Sequence, residues 1–200
     1  MALEVSAGNY PVYYAVTEDN RVARWRPFVH WIMAIPHLII GAFLSFAGAF
    51  AVMISWFAIV FTGKMPEGLA NFIIMGQRYN ARANGFALWL TEQYPPFDFS
   101  STAGDPGNYA IRLDITPALE GRNRLTVLLR YFTMIPIMFF FFIVFIGVYF
   151  VNLIAFFAIL FTGRYPVGMR SFVCRALRLG QRATAYANLL TDQYPPFALE

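Results

Sequence analysis

The chain has 200 residues, of which 58% are hydrophobic, 18% are aromatic and 13% are charged, with a formal net charge of +4. Because a soluble domain carries about 25% charged residues, this composition excludes an ordinary soluble globule and predicts an integral membrane protein. The single cysteine, Cys174, excludes an intramolecular disulfide framework and a multi-cysteine metal site.

A tandem repeat organises the chain. The segments 57–68 and 90–97 recur as 157–168 and 190–197 with most of their residues preserved. Between the copies, residues 100–107 are rich in Ser, Gly and Pro, a composition typical of a linker. The sequence therefore predicts a first membrane repeat at 1–99, a linker at 100–107 and a second membrane repeat at 108–200.

Each repeat begins with a short segment in which apolar residues alternate with others, at 12–17 and at 111–116. This period of two, with β-branched and aromatic residues, predicts a strand. Because an isolated short strand is not stable in water, we expect the two strands to pair with each other.

A long apolar run follows each strand, at 27–63 and at 125–163. A helix of ~35 residues would be ~52 Å long, whereas ~20 residues cross a bilayer. We therefore predict an all-α membrane protein with a short transmembrane helical hairpin in each repeat, turning near 45–48 and near 145–147. The alternative is one long kinked membrane helix per repeat, in which Pro36 and Pro136 end an interfacial lead-in.

Basic residues flank both ends of both apolar runs. Because Lys and Arg near the ends of a span stay on the cytoplasmic side, an even number of crossings is favoured. This predicts a multi-pass protein with both termini in the cytoplasm.

The segment Phe-Thr-Gly-Lys/Arg-x-Pro-x-Gly ends both apolar runs. We expect Gly63 and Gly163 to adopt the left-handed conformation that closes a helix, and Pro66 and Pro166 to prevent its continuation. Lys64 and Arg164 are expected to reach the lipid headgroups.

The mixed pattern of apolar and basic residues in segments 69–90 and 169–190 predicts two amphipathic interfacial helices. Arg78 and Arg82 share one helical face, as do Arg178 and Arg182, with Arg175 extending the second stripe. We expect these side chains to face anionic lipid phosphates while the apolar sides face the bilayer. The alternative is that they only orient the protein. The candidate lipid-binding or partner-binding residues are Lys64, Arg78, Arg82, Arg164, Arg175, Arg178 and Arg182.

A proline-containing motif ends each repeat, Tyr94-Pro95-Pro96-Phe97 and Tyr194-Pro195-Pro196-Phe197. Proline fixes its own backbone and restricts the residue before it, so the motif is stiff. We expect it to organise the cytoplasmic layer by docking its aromatic rings on the strand pair or on the other repeat.

Residues typical of catalysis are missing from the apolar runs, which contain no Asp or Glu, and no nucleophile, zinc or phosphate motif is found. His30 and His37 are ~10 Å apart along a helix, so we expect packing roles. Glu92 and Asp192 are expected to cap a helix or pair with Arg. We therefore predict no catalytic residue, no metal site and no cofactor.

These motifs together carry a resemblance to a known family. Arg21 and Arg24 before the first apolar run, the Phe-Thr-Gly-Lys/Arg-x-Pro segment, the Arg-containing helix and the terminal Leu-Thr-Glu/Asp-x-Tyr-Pro-Pro-Phe resemble domain of unknown function 4389 (DUF4389), here in tandem. In the second repeat Arg122 and Arg124 have a different spacing. The resemblance implies a protein of the bacterial cytoplasmic (inner) membrane and supplies no activity.

Three functions are compatible with these observations. We favour a non-enzymatic scaffold or accessory subunit of a membrane complex, because aromatic surfaces are abundant and catalytic groups are not. The alternative is an anionic-lipid-binding or membrane-shaping protein, and a small transporter or membrane enzyme comes third. The expected partners are membrane lipids, mainly anionic, and a membrane protein or a second copy of the chain, but not nucleic acid.

Overall fold

The structure is a computed structural model that describes residues 10–102 and 104–199. In this part of the chain the elements are, in order, β1 (Val12–Val16), α1 (Arg26–Thr62), α2 (Glu67–Ala87), β2 (Ile111–Ile115), α3 (Arg124–Leu128), α4 (Arg130–Thr162) and α5 (Val167–Ala187). The fold is thus mostly helical, with one long helix and one shorter helix in each repeat.

The two strands pair with each other in an antiparallel ribbon, as predicted. Tyr14 lies opposite Leu113, and Val12 lies opposite Ile115. Tyr14 and Leu113 are equivalent positions when the two copies of the repeat are aligned. A pseudo-twofold axis that relates the repeats therefore passes through this central pair.

The predicted hairpins are wrong. α1 is a single helix of 37 residues that continues through the expected turn at Ser45, and α4 continues through 145–147. The Ser45 hydroxyl donates to the carbonyl of Gly41 at 2.8 Å, an intrahelical bond that satisfies the side chain without a turn. The alternative of one long helix per repeat is the observed arrangement, with Pro36 and Pro136 inside the helices.

In the first repeat α2 packs antiparallel along α1. The His30 ring lies 3.1 Å from the carbonyl of Phe86, and the His37 ring lies 2.8 Å from the Tyr79 hydroxyl. Farther along α1, the carbonyl of Gly41 accepts a hydrogen bond from the Asn80 side chain at 3.3 Å. From the contact of His30 with Phe86 to that of His37 with Tyr79, residue numbers rise on α1 and fall on α2, and Leu44 of α1 lies beside Gly76 of α2. The two helices are therefore in contact over much of the length of α2.

The second repeat has the same arrangement of α4 and α5. The hydroxyls of Thr133 on α4 and Tyr186 on α5 are 2.8 Å apart, and Gly147 of α4 lies against the ring of Phe172 on α5. Residues 73–79 of α2 are all buried. α2 and α5 therefore form the interior of the domain. Their predicted position on the protein surface, with an apolar side against the bilayer and a basic side against lipid phosphates, is wrong because other segments of the protein cover them.

The two long helices run antiparallel to each other. Phe28, near the start of α1, packs against Phe156, near the end of α4, with ring centroids 5.3 Å apart. At the opposite end, the Trp56 indole donates to the carbonyl of Val127 at 3.2 Å. Parallel helices would instead bring Phe28 close to the start of α4. The pseudo-twofold axis is therefore perpendicular to α1 and α4.

Three layers result from these contacts. α1 and α4 form the outer layer, and α2 and α5 lie beneath them, joined where Gln77 donates to Gln181. The ribbon packs on α2 and α5, with β1 on α5 and β2 on α2. Because each strand packs on a helix of the other repeat, the two repeats share one hydrophobic core.

Backbone hydrogen bonds also join the repeats. The amide of Val22 donates to Gly163 at 3.1 Å, and the amide of Arg122 donates to Gly63 at 3.4 Å. These two bonds are related by the pseudo-twofold axis. The segment that leads into each long helix is thus held by the segment that leaves the other one.

Candidate functional site

An apolar surface covers the outer side of α1 and α4. Large exposed side chains follow α1 from one end to the other, including Phe28, Phe43 and Phe57, and α4 presents a similar series. No charged residue occurs between Arg26 and Lys64. Exposed apolar patches of this extent are typical of membrane or protein contact sites.

Both helices are long and apolar enough to cross a membrane, by length and composition. In their most apolar windows only 17% of the residues of α1 and 22% of those of α4 are buried inside the protein. The core helix of a soluble protein is mostly buried by other parts of the same chain. α1 and α4 are not, because most of their apolar residues remain exposed.

The four arginines expected on a basic surface lie inside the protein instead. Arg78, Arg82, Arg178 and Arg182 are between 2% and 5% exposed. Periodicity correctly placed each pair on one helical face, but that face meets the ribbon and the segments around it. The expected membrane-facing position of these four side chains is therefore wrong.

In the first repeat the arginines are neutralised by the segment between the repeats. Arg82 contacts Asp98 at 3.1 Å and Asp105 at 3.2 Å, and Arg78 lies 3.6 Å from Asp105. The Asp105 side chain is only 1% exposed and also accepts from the amides of Leu113 and Gly107. The predicted linker thus supplies a buried carboxylate to two arginines, a role that its composition did not indicate.

The ionisation of this cluster follows from its surroundings. Burial lowers the pKa of Arg78, and the charge of Asp105 opposes that effect. A hydrogen bond from the Ser100 hydroxyl lowers the pKa of Asp98. Desolvation raises this pKa, but the hydrogen bond and charge of Arg82 lower it further. Because its pKa is lowered, Asp98 remains ionised at neutral pH.

The arginines also hold the ribbon by its central pair. The Arg78 Nε donates to the carbonyl of Leu113 at 3.2 Å, and the Arg178 Nε donates to the carbonyl of Tyr14 at 3.2 Å. Arg182 lies over the Tyr10 ring, 5.4 Å from its centroid. The same arginine position in each repeat therefore fixes the strand of the other repeat.

The remaining basic candidates are on the surface. Lys64, Arg164 and Arg175 are exposed, and Lys64 pairs with Glu120 at 2.9 Å. Lys64 and Arg164 lie immediately after the ends of α1 and α4, beside the apolar surface. Binding of a lipid or a partner by these three residues stays a prediction.

The expected helix ends are confirmed. Gly63 has φ 73° and Gly163 has φ 68°, and their amides donate to Ile59 and Ile159. Pro66 and Pro166 occupy the N-cap positions of α2 and α5.

We expected the Tyr-Pro-Pro-Phe motifs to dock on the strand pair or on the other repeat. In the structure their aromatic rings instead pack on the long helix of their own repeat. Phe97 stacks on the His37 ring of α1 with centroids 4.3 Å apart, and Phe197 packs edge-on against Phe140 of α4 at 5.6 Å. Pro95 and Pro195 are buried, whereas Tyr94, Phe97, Tyr194 and Phe197 remain more than one-third exposed. The motifs therefore extend the apolar surface sideways.

Packing roles for the two histidines are confirmed, since both rings are fully buried. His30 also stacks on Phe86, with centroids 4.2 Å apart. Among residues 10–102 and 104–199, no group of three or more His, Cys, Asp or Glu side chains could hold a metal ion.

The pairing of Glu92 and Asp192 with arginines is also confirmed. Glu92 lies 3.7 Å from Arg26, and Asp192 contacts Arg122 at 2.7 Å and Arg130 at 2.6 Å. Burial on its own would raise the pKa of Asp192, but hydrogen bonds and charges from Arg122 and Arg130 outweigh it and lower the pKa below its usual value. These carboxylates therefore fix the start of each long helix.

Comparison with known proteins gives a family and no function. No curated protein and no solved structure matches the chain. A family described as a domain of unknown function, DUF4389, matches residues 24–98 and again residues 124–198. These two matches span the long helix, the shorter helix and the Tyr-Pro-Pro-Phe motif of each repeat, and the chain therefore belongs to the DUF4389 family as a tandem of two such domains.

Proposed function

We propose that the chain is a non-enzymatic membrane scaffold whose two long helices lie in the plane of one leaflet of a bilayer. In this arrangement α1 and α4 are immersed in the hydrocarbon. The layer of α2 and α5 lies at the headgroup level, and the ribbon lies in water.

The packing of α2 along α1 supports this placement over a crossing. If α1 crossed the bilayer, α2 would cross with it, because the two helices are in contact from His30 to at least Gly41. α2 contains Gln77, Arg78, Asn80, Arg82 and Asn84. Polar side chains of this number are costly in a bilayer unless they line a functional path.

The pseudo-twofold axis supports the same conclusion. Because it is perpendicular to α1 and α4 and passes through the ribbon, a crossing would put the ribbon at the depth of the bilayer centre. Arg112 on β2 is exposed, and a charged side chain at that depth costs about 3 kcal/mol or more. With the axis along the membrane normal, the ribbon lies in water on the side opposite the apolar surface.

The dimensions agree with an in-plane position. A helix is about 10 Å in diameter, and one leaflet contributes about 15 Å of hydrocarbon. A helix of 37 residues is about 55 Å long, which exceeds the hydrocarbon thickness of about 30 Å. A helix that lies in the membrane plane can have any length.

The polar layers of such a protein are available to a partner above the membrane, as a scaffold or accessory subunit requires. Exposed Lys64 and Arg164, next to the helix ends, are positioned to contact anionic headgroups. We place the protein in the bacterial inner membrane with both termini on the cytoplasmic side.

A second candidate function is membrane shaping. Two apolar helices of 37 and 33 residues inserted in only one leaflet would expand that leaflet relative to the other. Binding that increases as vesicle diameter decreases would support this role.

Depth measurements test the placement. Spin labels on Phe28→Cys, Phe43→Cys and Phe57→Cys, each in a Cys174→Ser background, report the depth of α1 in reconstituted vesicles by their accessibility to oxygen and to a polar nickel reagent. These three residues are at least half exposed and lie on one side of the helix. An in-plane helix gives three similar depths within one leaflet.

A crossing helix gives the opposite pattern, with position 43 deepest and the two end positions near opposite surfaces. A label at Glu120→Cys, on an exposed loop, is the control and should be accessible only to the polar reagent. Depths that change progressively along α1 would refute the in-plane placement.

A further inference from the structure

A cavity of about 550 Å³ lies between α1 and the start of α4, with α2 and α5 behind it. This volume is within the usual range of small-molecule sites. Its polar lining includes Ser45, Gln77, Asn80, Asn84, Gln181 and Thr184, and no lining residue is Asp, Glu, Lys or Arg. The cavity thus offers hydroxyl and amide groups without a formal charge.

One polar group at the wall has a free hydrogen-bonding position. Gln77 is 94% buried, and its Nε2 donates to the carbonyl and to the side chain of Gln181 at 2.9 and 3.1 Å. Its Oε1 is buried and has no hydrogen-bond partner among the described residues. A buried acceptor without a partner is unfavourable, so rotation of the Gln77 amide that turns Oε1 into the cavity would let a ligand donate a hydrogen bond to it.

Comparison of the two repeats shows that the cavity breaks the pseudo-twofold symmetry of the fold. Where α1 and α2 carry Ser45, Gly48 and Gln77, the second repeat carries Phe145, Val148 and Leu177. The second repeat therefore has larger or more apolar residues at the equivalent positions. The polar cavity does not follow from the shared fold alone, since it depends on small and polar residues that only one copy has.

The position and chemistry of the cavity indicate its ligand. Amide side chains both donate and accept, which suits hydroxyl groups, whereas a phosphate or carboxylate would find no cation in the lining. Leu44, Val52 and Phe72 supply apolar wall, and the lining includes residues of α1 and Tyr131 at the start of α4.

We propose that this cavity binds a lipid with an uncharged, hydroxyl-bearing headgroup, such as a diacylglycerol or its glycosylated form. The headgroup lies against Gln77 and Gln181, and the acyl chains leave between α1 and α4 into the leaflet. This proposal rests on the in-plane placement, because that placement immerses the lining residues of α1 and α4 in the hydrocarbon.

Photocrosslinking in nanodiscs tests the proposal. The probes are a diacylglycerol and a phosphatidylglycerol that carry the same photoreactive acyl chain, and mass spectrometry locates the labelled peptides. The diacylglycerol probe should label the peptides that line the cavity, and unlabelled diacylglycerol should compete. The phosphatidylglycerol probe should label only the outer surface.

Two variants install the residues of the second repeat. Gly48→Val fills space, since a Cβ at Gly48 would meet no atom within 4 Å, and Gln77→Leu removes the polar wall. Each should reduce labelling of the cavity by about tenfold, the effect of losing one complementary interaction. Ala42→Val, on the exposed side of the same helix, adds similar bulk and should leave labelling unchanged.

The result separates this proposal from the placement on which it rests. Equal labelling in the parent protein and both variants, or stronger cavity labelling by phosphatidylglycerol, overturns the lipid proposal while the α1 depth measurements still stand. Should Gly48→Val fail to fold, Gln77→Leu alone decides the outcome. Depth labels that indicate a crossing overturn the placement independently of any labelling in the cavity.

Discussion

Replacing Asp105 with asparagine tests whether the buried arginine cluster stabilises the fold. The Asp105 carboxylate is 1% exposed, lies 3.2 Å from Arg82 and 3.6 Å from Arg78, and accepts from the Leu113 amide at 3.0 Å. Asn keeps the shape but removes the charge and presents an amide NH₂ to groups that are themselves donors. Arg82 would then keep its contact with Asp98, whereas Arg78 would lose its ion pair.

The expected loss follows from this geometry. Removing one partner of a buried ion pair costs about 3–5 kcal/mol, and the contact of Arg82 with Asp98 that remains favours the lower end of that range. Since a domain of this size loses roughly 2–4 °C per kcal/mol, Asp105→Asn should lower the melting temperature by about 6–12 °C. Intrinsic fluorescence during heating of the reconstituted protein measures it.

A matched control removes an exposed carboxylate with the same chemistry. Glu120→Gln breaks the pair with Lys64, in which both side chains are at least 66% exposed, and exposed pairs contribute little. Its melting temperature should not change measurably. If the two variants melt at the same temperature, the arginine cluster does not stabilise the fold. Limited proteolysis gives a second readout, because loss of Asp105 should increase cleavage within residues 100–107.

The other predictions concern the acidic pair, a helix end and the proline motif. The pKa of Asp192 lies below its usual value, so its contribution to stability is present above the unfolded-state pKa of about 3.9 and is lost as the pH falls through the folded-state pKa. Asp192→Asn should therefore flatten the decrease in melting temperature between about pH 5 and pH 2. An unchanged pH profile would contradict the pairing. Gly163→Ala should cost about 1–2 kcal/mol because φ is 68°, whereas Gly168→Ala, which meets open space, should not destabilise in the same denaturant titration. Pro95→Ala should increase proteolysis near residue 97 without releasing the protein from membranes, and an unaltered digest would show that the motif adds no rigidity.

Local patterns in the sequence predicted the features that depend on neighbouring residues. Glycine before a basic residue and a proline predicted the left-handed helix ends at Gly63 and Gly163. Alternating apolar residues predicted the strands, and the instability of an isolated short strand in water predicted that they pair. These features depend on backbone preferences and on repeat symmetry, which are readable along the chain.

The path of the long helices was not readable in this way. The hairpin prediction assumed that a long apolar run must cross a bilayer, so the small residues at 45–48 were interpreted as a turn. In the structure Gly48 and Ser45 remain helical and line a cavity. Small residues are compatible both with a turn between two helices and with a cavity beside one helix. Which of the two forms depends on how the neighbouring helices pack.

The sequence by itself determined that there are two copies of one unit, where their helices end, and which arginines share a helical face. Only the tertiary structure decided what that face meets. The partners of Arg82 include Asp98, just before the predicted linker, and Asp105 within it, and those of Arg178 include the strand of the other repeat. Periodicity defines a direction around a helix axis, whereas the burial of a charge depends on segments that are distant along the chain and meet it only after folding.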